Sequence, residues 1–76
     1  MSNNQPAKKL RDGLITVTLW ENKTDDKPFY TATVERSYQD GEEWKTTSQL
    51  TGIDMVKASR LLEKAYDTSV ELRSSS

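Results

Sequence analysis

The sequence predicts an α+β fold: an antiparallel meander of three to four strands, followed by one C-terminal amphipathic helix packed on one sheet face. Three observations predict it. Leu14–Trp20 alternates between apolar and polar residues, Phe29–Leu50 has the pattern of a hairpin around an Asp-Gly pair, and apolar residues after Ile53 recur at helical spacing. We expect a mobile tail over residues 1–9, one domain over 10–72 and a frayed end over 73–76.

The N-terminal segment is polar and contains one proline, which is typical of a mobile tail. Lys8, Lys9 and Arg11 form a small basic cluster, either a solubilising arm or an arm that contacts phosphate. Asp12-Gly13 indicates a turn, so residues 10 and 11 are expected to pair only briefly as an edge strand.

Leu14–Trp20 is predicted to be a strand because β-branched and aromatic residues occur in it at period two. The polar run Glu21–Lys27 is predicted to be a loop. Pro28 then opens the next strand at its first position, where a missing backbone donor is tolerated. The first strand should turn Ile15, Val17 and Leu19 to one face and Thr16, Thr18 and Trp20 to the other.

The hairpin loop holds either two residues, Asp40-Gly41, or three, Gln39–Gly41. The shorter loop would place Arg36 opposite Lys45, and like charges directly opposite each other are destabilising. We therefore predict the three-residue loop, which puts Gly41 where a positive φ is needed. Its cross-strand pairs would be Glu35 with Lys45, Thr33 with Thr47, and Arg36 with Trp44.

The first two predicted strands are expected to pair with Trp20 beside Phe29. This register and the predicted register of the hairpin then place the apolar residues on the same sheet face. The remaining pairs would be Thr18 with Thr31, Thr16 with Thr33, Leu19 with Tyr30, Val17 with Ala32, and Ile15 with Val34. Trp44 and Leu50 would join the apolar face, and the helix would cover it.

The helix is predicted to run from Ile53 to about Asp67, with Thr51 as N-cap and Asp54 near the positive end of the dipole. Val70 and Leu72 either extend it or add a short docking segment. Its apolar stripe covers about half the circumference, more than one thin sheet can bury, so we expect a homodimer. The stripe contains Met55, Val56, Ala58, Leu61, Leu62, Ala65 and Tyr66.

The composition excludes several kinds of function. The chain has 76 residues, enough for one domain, and contains neither cysteine nor histidine. Nucleophilic thiols, the commonest general base and the commonest metal ligands are therefore absent. We predict no enzyme activity, no catalytic residues, no metal, no cofactor and no small-molecule substrate. No apolar run is long enough for a membrane helix and no signal peptide is visible, so we expect a cytoplasmic protein without a membrane partner.

The sheet face away from the helix is the predicted site. It should carry a threonine lattice with Trp20 and Phe29 side by side, and exposed paired rings require an explanation. The loop or the N-terminal arm could cover them, a protein partner or dimer seam could bury them, or single-stranded nucleic acid could stack on them. The predicted nucleic-acid-binding residues are Trp20, Phe29, Lys27, Lys45, Thr18, Thr31, Thr33, Thr47 and Arg11.

Our leading hypothesis is therefore a small dimeric module that binds single-stranded DNA or RNA without sequence preference. The net charge of −1 offers no global attraction to nucleic acid, so binding would depend on a local patch. The alternative is a protein–protein interaction adaptor or inhibitor of phage or mobile-element type, because an exposed aromatic pair suits a protein surface equally well.

The predicted architecture over Leu14–Tyr66 resembles a group of single-strand-binding proteins. It comprises positive-cofactor-four-like coactivators, Pur-alpha-type repeats and whirly proteins. The resemblance lies in the meander and the C-terminal helix rather than in a motif, and it implies a nucleic-acid-binding sheet face and helices that build a dimer. The segment Arg36–Trp44 also resembles a stretch in small uncharacterised bacterial and phage proteins.

Overall fold

The computed structural model describes residues 5–22 and 28–74. It confirms the predicted fold class, with four antiparallel strands in the order β1-β2-β3-β4 followed by one helix. No helix within the described residues is long and apolar enough to cross a membrane. The elements are β1 (Gln5–Asp12), β2 (Ile15–Asn22), β3 (Phe29–Asp40), β4 (Glu43–Thr47) and α1 (Ile53–Ser74).

Strand β1 is much longer than the brief pairing expected at residues 10 and 11. It pairs with β2 from Gln5 to Asp12, with an irregularity between Pro6 and Lys8, so residues 5–9 belong to the sheet rather than to a tail. Sequence alternation could not reveal this, because of the β1 side chains only Leu10 packs against the core. The strand is held mainly by backbone pairing, which needs no apolar pattern.

The register between β2 and β3 differs from the prediction by two residues. Trp20 lies opposite Thr31, and Phe29 lies opposite Asn22, because β2 continues to Asn22. A shift of two residues leaves every side chain on its predicted face, so the apolar pattern cannot distinguish the two registers. Trp20 and Phe29 are therefore diagonal neighbours on the same face.

Neither of the two predicted loops connects β3 to β4, so both alternatives are wrong. Asp40 pairs with Glu43, so the loop is Gly41-Glu42, and Arg36 lies opposite Thr47 rather than Trp44, a displacement of three residues. Gly41 has φ 67, and no described residue other than glycine has positive φ. Glycine first in a two-residue loop is the type II′ arrangement, whose twist suits a hairpin. Because the displacement is odd, each β4 side chain lies on the face opposite to the one predicted.

The core lies between β2 and α1. Ile15 and Val17 are fully buried, and Leu19 packs with them. Ala32 and Trp44, both predicted to be in the core, are exposed, because α1 lies mainly over β2 and Trp44 is on the other face. The helix contributes Ala58, Leu61 and Ala65; Leu10, Tyr30, Val34, Leu50 and Leu72 pack around the margin.

Helix α1 begins at Ile53 as predicted and continues past Asp67 to Ser74. Thr51 does not act as the predicted side-chain cap. Its carbonyl accepts from the Asp54 N–H at 2.9 Å, while its hydroxyl donates to the Asp54 carboxylate at 3.4 Å. Gly52 has φ 53, which turns the chain into the helix. Residues 73 and 74, predicted to be frayed, are helical, and residues 75 and 76 lie outside the described part of the chain.

Candidate nucleic-acid interface

The sheet face turned away from α1, here called the open face, carries most of the predicted site. Because Ile15, Val17 and Leu19 point towards the helix, their alternating neighbours and the residues paired with those neighbours point away from it. Two of the predicted site residues, Lys45 and Thr47, lie on the helix side, because β4 is displaced by an odd number of residues. Lys27 lies outside the described residues. The predicted residues on the open face are Arg11, Thr18, Trp20, Phe29, Thr31 and Thr33.

One end of the open face holds Trp20 and Phe29. The Trp20 ring is half-buried, and its Nε1 donates a hydrogen bond to Thr33 Oγ1 at 2.9 Å. The Asn22 Nδ2 similarly donates to Thr31 Oγ1 at 3.1 Å. Thr31 and Thr33, predicted as ligand contacts, therefore also order this end of the face. Phe29 is 48% exposed, so its ring is available to a partner.

The opposite end of the open face holds Trp44, which the sequence pattern predicts to lie in the core. It lies opposite Gln39 and is 62% exposed. The position of Gly41 could have indicated this, because glycine as the first residue of a two-residue hairpin loop favours a type II′ turn. A loop of Gly41-Glu42 sets Trp44 opposite Gln39. Gln39 follows Thr31, the partner of Trp20, by eight residues along β3. At about 3.3 Å per residue, the two aromatic ends are separated by roughly 26 Å along the strands.

Between the aromatic ends lies a shallow depression of about 450 Å³. Lys9 and Arg11 stand on the β1 side, opposite Thr18 and Thr16 respectively. Thr18, predicted to be exposed, is only 3% exposed, because it lies on a central strand with Lys9 and Thr33 paired on either side of it. Hydroxyl groups therefore surround a site with cations on one side. The lining consists of Lys9, Arg11, Thr16, Thr18, Glu35, Ser37 and Thr46.

Three charged residues of the hairpin, Arg36, Asp40 and Lys45, are engaged away from the open face. The Lys45 Nζ lies 3.0 Å from Asp40 Oδ2, so the predicted pair with Glu35 does not form. Arg36 is also on the helix side, where its Nε donates to the Gln49 carbonyl at 3.1 Å and lies 3.7 Å from Asp54 Oδ2. Its guanidinium is 5.8 Å from the Tyr38 ring centroid, in place of the predicted contact with Trp44.

Lys9 and Arg11 are therefore the cations that the described part of the open face presents, and Glu35 is its carboxylate. The face is locally more positive than the molecule as a whole, whose net charge is −1. Among the described residues, no group of three or more acidic side chains is placed to hold a metal ion.

No family model matches the chain, and no curated protein or solved structure is significantly similar to it.

Proposed function

We propose that the protein binds single-stranded DNA or RNA along the open face, without sequence preference. The observation that supports this most strongly is the joint position of Trp44, Phe29 and Trp20 on one sheet face, with Lys9 and Arg11 between the two aromatic ends. Rings stack with any base, and cations contact any phosphate, so this combination binds a strand without reading its sequence.

The spacing of these groups suits a flexible strand better than a rigid ligand. The roughly 26 Å between the aromatic ends exceeds the size of one nucleotide, so one strand must pass over the depression to contact both. Its phosphates would then approach Lys9 and Arg11, while hydroxyls such as Thr16 and Ser37 could donate hydrogen bonds. Glu35, on the far side of the depression, would disfavour phosphate and direct the backbone towards β1.

The proposal is tested by titrating a fluorescently labelled oligothymidine at low salt. Replacing Trp44 with alanine should weaken binding by roughly 5- to 150-fold, the equivalent of losing one base stack worth about 1–3 kcal/mol. The matched control is Ile53→Ala, since Ile53 is 63% exposed but lies at the start of α1. The affinity of Ile53→Ala for the oligothymidine should equal that of the wild type.

Oligomer length provides a second measurement in the same assay. An oligomer of about three nucleotides should bind much more weakly than one of about eight, because only the longer one reaches both aromatic ends. Trp44→Ala should weaken binding of the longer oligomer more than that of the shorter one. Absence of binding at tens of micromolar, or equal affinity of Trp44→Ala and wild type, would reject the proposal.

A further inference from the structure

The two outer edges of the sheet differ in how they are protected. The β1 edge carries Lys8, Lys9 and Arg11, contains Pro6, and has an irregularity between Pro6 and Lys8. Charges, prolines and bulges are the devices that prevent an edge from pairing with another chain. The other side of β3 is covered by β4 only from Arg36 to Asp40. Among the described residues, no strand pairs with that side of Phe29–Glu35, here called the free edge, and it contains no lysine or proline.

The backbone groups of the free edge are directed outward at alternate residues. The Ser37 N–H bonds to the Leu14 carbonyl at 2.9 Å, so odd-numbered residues of β3 bond towards β2. Even-numbered residues must bond in the other direction, as Arg36 does towards β4. Tyr30, Ala32 and Val34 therefore present their N–H and C=O groups to the free edge.

An exposed apolar flank of α1 stands beside the free edge. The Lys57 Nζ lies 3.4 Å from the position a Cβ on Gly13 would occupy, which places Lys57 on the β1 side. At 3.6 residues per turn, Met55, Leu62 and Tyr66 lie on the opposite flank, towards β3. They are 57%, 39% and 66% exposed. Ala32 pairs with the core residue Leu19, so its side chain is on the helix side of the sheet, and it is also exposed. The helix flank and the free edge therefore both leave apolar surface uncovered among the described residues.

We propose that the free edge and this helix flank form a self-association surface, in which the free edge of β3 pairs antiparallel with the free edge of a second copy. A two-fold axis at Ala32 sets Ala32 opposite its own copy, Tyr30 opposite Val34, and Thr31 opposite Thr33. In this register the outward groups of all three even-numbered residues are used. Each such pair exchanges two hydrogen bonds, so the seam contains about six.

The free edge suits a copy of itself better than an unrelated strand. An isologous interface requires that each residue find its partner in the same patch, and the register centred on Ala32 meets this with favourable Thr-Thr and aromatic–β-branched pairs. β2, β3 and their copies would then span about 14 Å between the two helices. Met55, Leu62 and Tyr66 of each helix would extend into the space above Ala32.

Self-association can be tested separately from the proposed nucleic-acid binding, because Lys9, Arg11 and Trp44 lie on other strands and outside the proposed seam. A seam of seven residues and one helix flank is small, so we expect dissociation in the micromolar range. The measurement is sedimentation equilibrium of the full chain at concentrations up to about 300 μM. The expected result is a mass that rises towards twice the 8.7 kDa of one chain.

Two matched pairs of variants locate the interface. Ala32→Lys sets like charges opposite each other at the two-fold axis and should raise the dissociation constant at least 10-fold. Ala7→Lys makes the same change at an exposed alanine on the β1 edge and should have no effect. Leu62→Glu should also weaken association, whereas Val56→Glu, at an exposed position on the outward side of α1, should not.

Amide hydrogen exchange provides the readout that a general loss of stability would not mimic. The N–H groups of Tyr30, Ala32 and Val34 should become protected as concentration rises, while those of Thr31 and Thr33 should be protected throughout. A wild-type chain that stays monomeric at the highest concentration would overturn the proposal. So would Ala32→Lys associating as strongly as Ala7→Lys, with circular dichroism showing both folded.

Discussion

Tyr30 illustrates how one side chain can couple the fold to pH. Its hydroxyl donates to Glu21 Oε2 at 3.2 Å, and Glu21 is its partner across β2 and β3. Partial burial, the Glu21 charge and this hydrogen bond together raise the pKa of Tyr30 above its usual 10.0. All three causes disfavour the tyrosinate, so the folded chain retains the proton at a pH where the unfolded chain loses it.

The sign of the resulting pH dependence follows from that difference. Below pH 10 both states hold the proton, and the contribution of Tyr30 to stability is fully present. As the pH rises from the unfolded pKa through the higher folded pKa, the unfolded state ionises first and the contribution is lost. Urea unfolding from pH 8 to 11 should therefore show the wild-type advantage over Tyr30→Phe shrinking above about pH 10.

Glu21→Gln keeps an acceptor near the Tyr30 hydroxyl but removes the charge, so it should show a smaller loss of stability across the same range. If the free-energy difference between wild type and Tyr30→Phe is constant from pH 8 to 11, the assigned coupling is wrong.

The β3–β4 hairpin is the element whose turn determines what the open face displays. Its loop, Gly41-Glu42, places Trp44 and Thr46 on that face and removes Lys45 and Thr47 from it. Gly41 has φ 67, and a Cβ added there would meet no atom within 4 Å. A side chain at this position would therefore be disfavoured by backbone conformation rather than by a steric clash.

We expect Gly41→Ala to lower the free energy of unfolding by about 1–2 kcal/mol, the usual cost of a left-handed residue with a Cβ. Chemical denaturation measures it. Glu42→Ala serves as the control, because Glu42 is exposed and lacks positive φ, and it should change stability by less than about 0.5 kcal/mol. Equal effects of the two substitutions would contradict the type II′ assignment.

At the scale of the whole molecule, the proposed nucleic-acid binding depends on where the charges lie rather than on the net charge. The chain carries −1 overall, while Lys9 and Arg11 line the depression of the open face. If these two cations contact phosphates, the slope of log K against log salt should be about −1.4, from roughly −0.7 for each contact with a single strand.

Neutralising both cations, as Lys9→Gln with Arg11→Gln, should flatten this slope towards zero and weaken binding at low salt. Arg60→Gln with Lys64→Gln removes the same charge from exposed positions of α1 and should leave the slope nearly unchanged. An equal effect of both double variants would show that phosphate is attracted by overall charge and not by the depression.

Local patterns in the sequence were sufficient for much of the fold. The alternation in β2 predicted that Ile15, Val17 and Leu19 are buried, and the helical spacing predicted a helix beginning at Ile53. The shared face of Trp20 and Phe29 also followed, because even a register wrong by two residues preserves it. Each of these features depends on neighbours within a few residues, so sequence periodicity determines them.

What only the tertiary structure decided is the loop of the second hairpin, the extent of β1 and the position of the helix over the sheet. Because the loop is Gly41-Glu42, Trp44 lies on the open face and not in the predicted core. Because α1 lies over β2, Ala32 and the β3 edge are uncovered. For each of these features, several strand pairings or helix positions fit the local sequence pattern about equally well and compete with one another. That competition is resolved by the burial and hydrogen bonding of the whole chain, which no short segment contains.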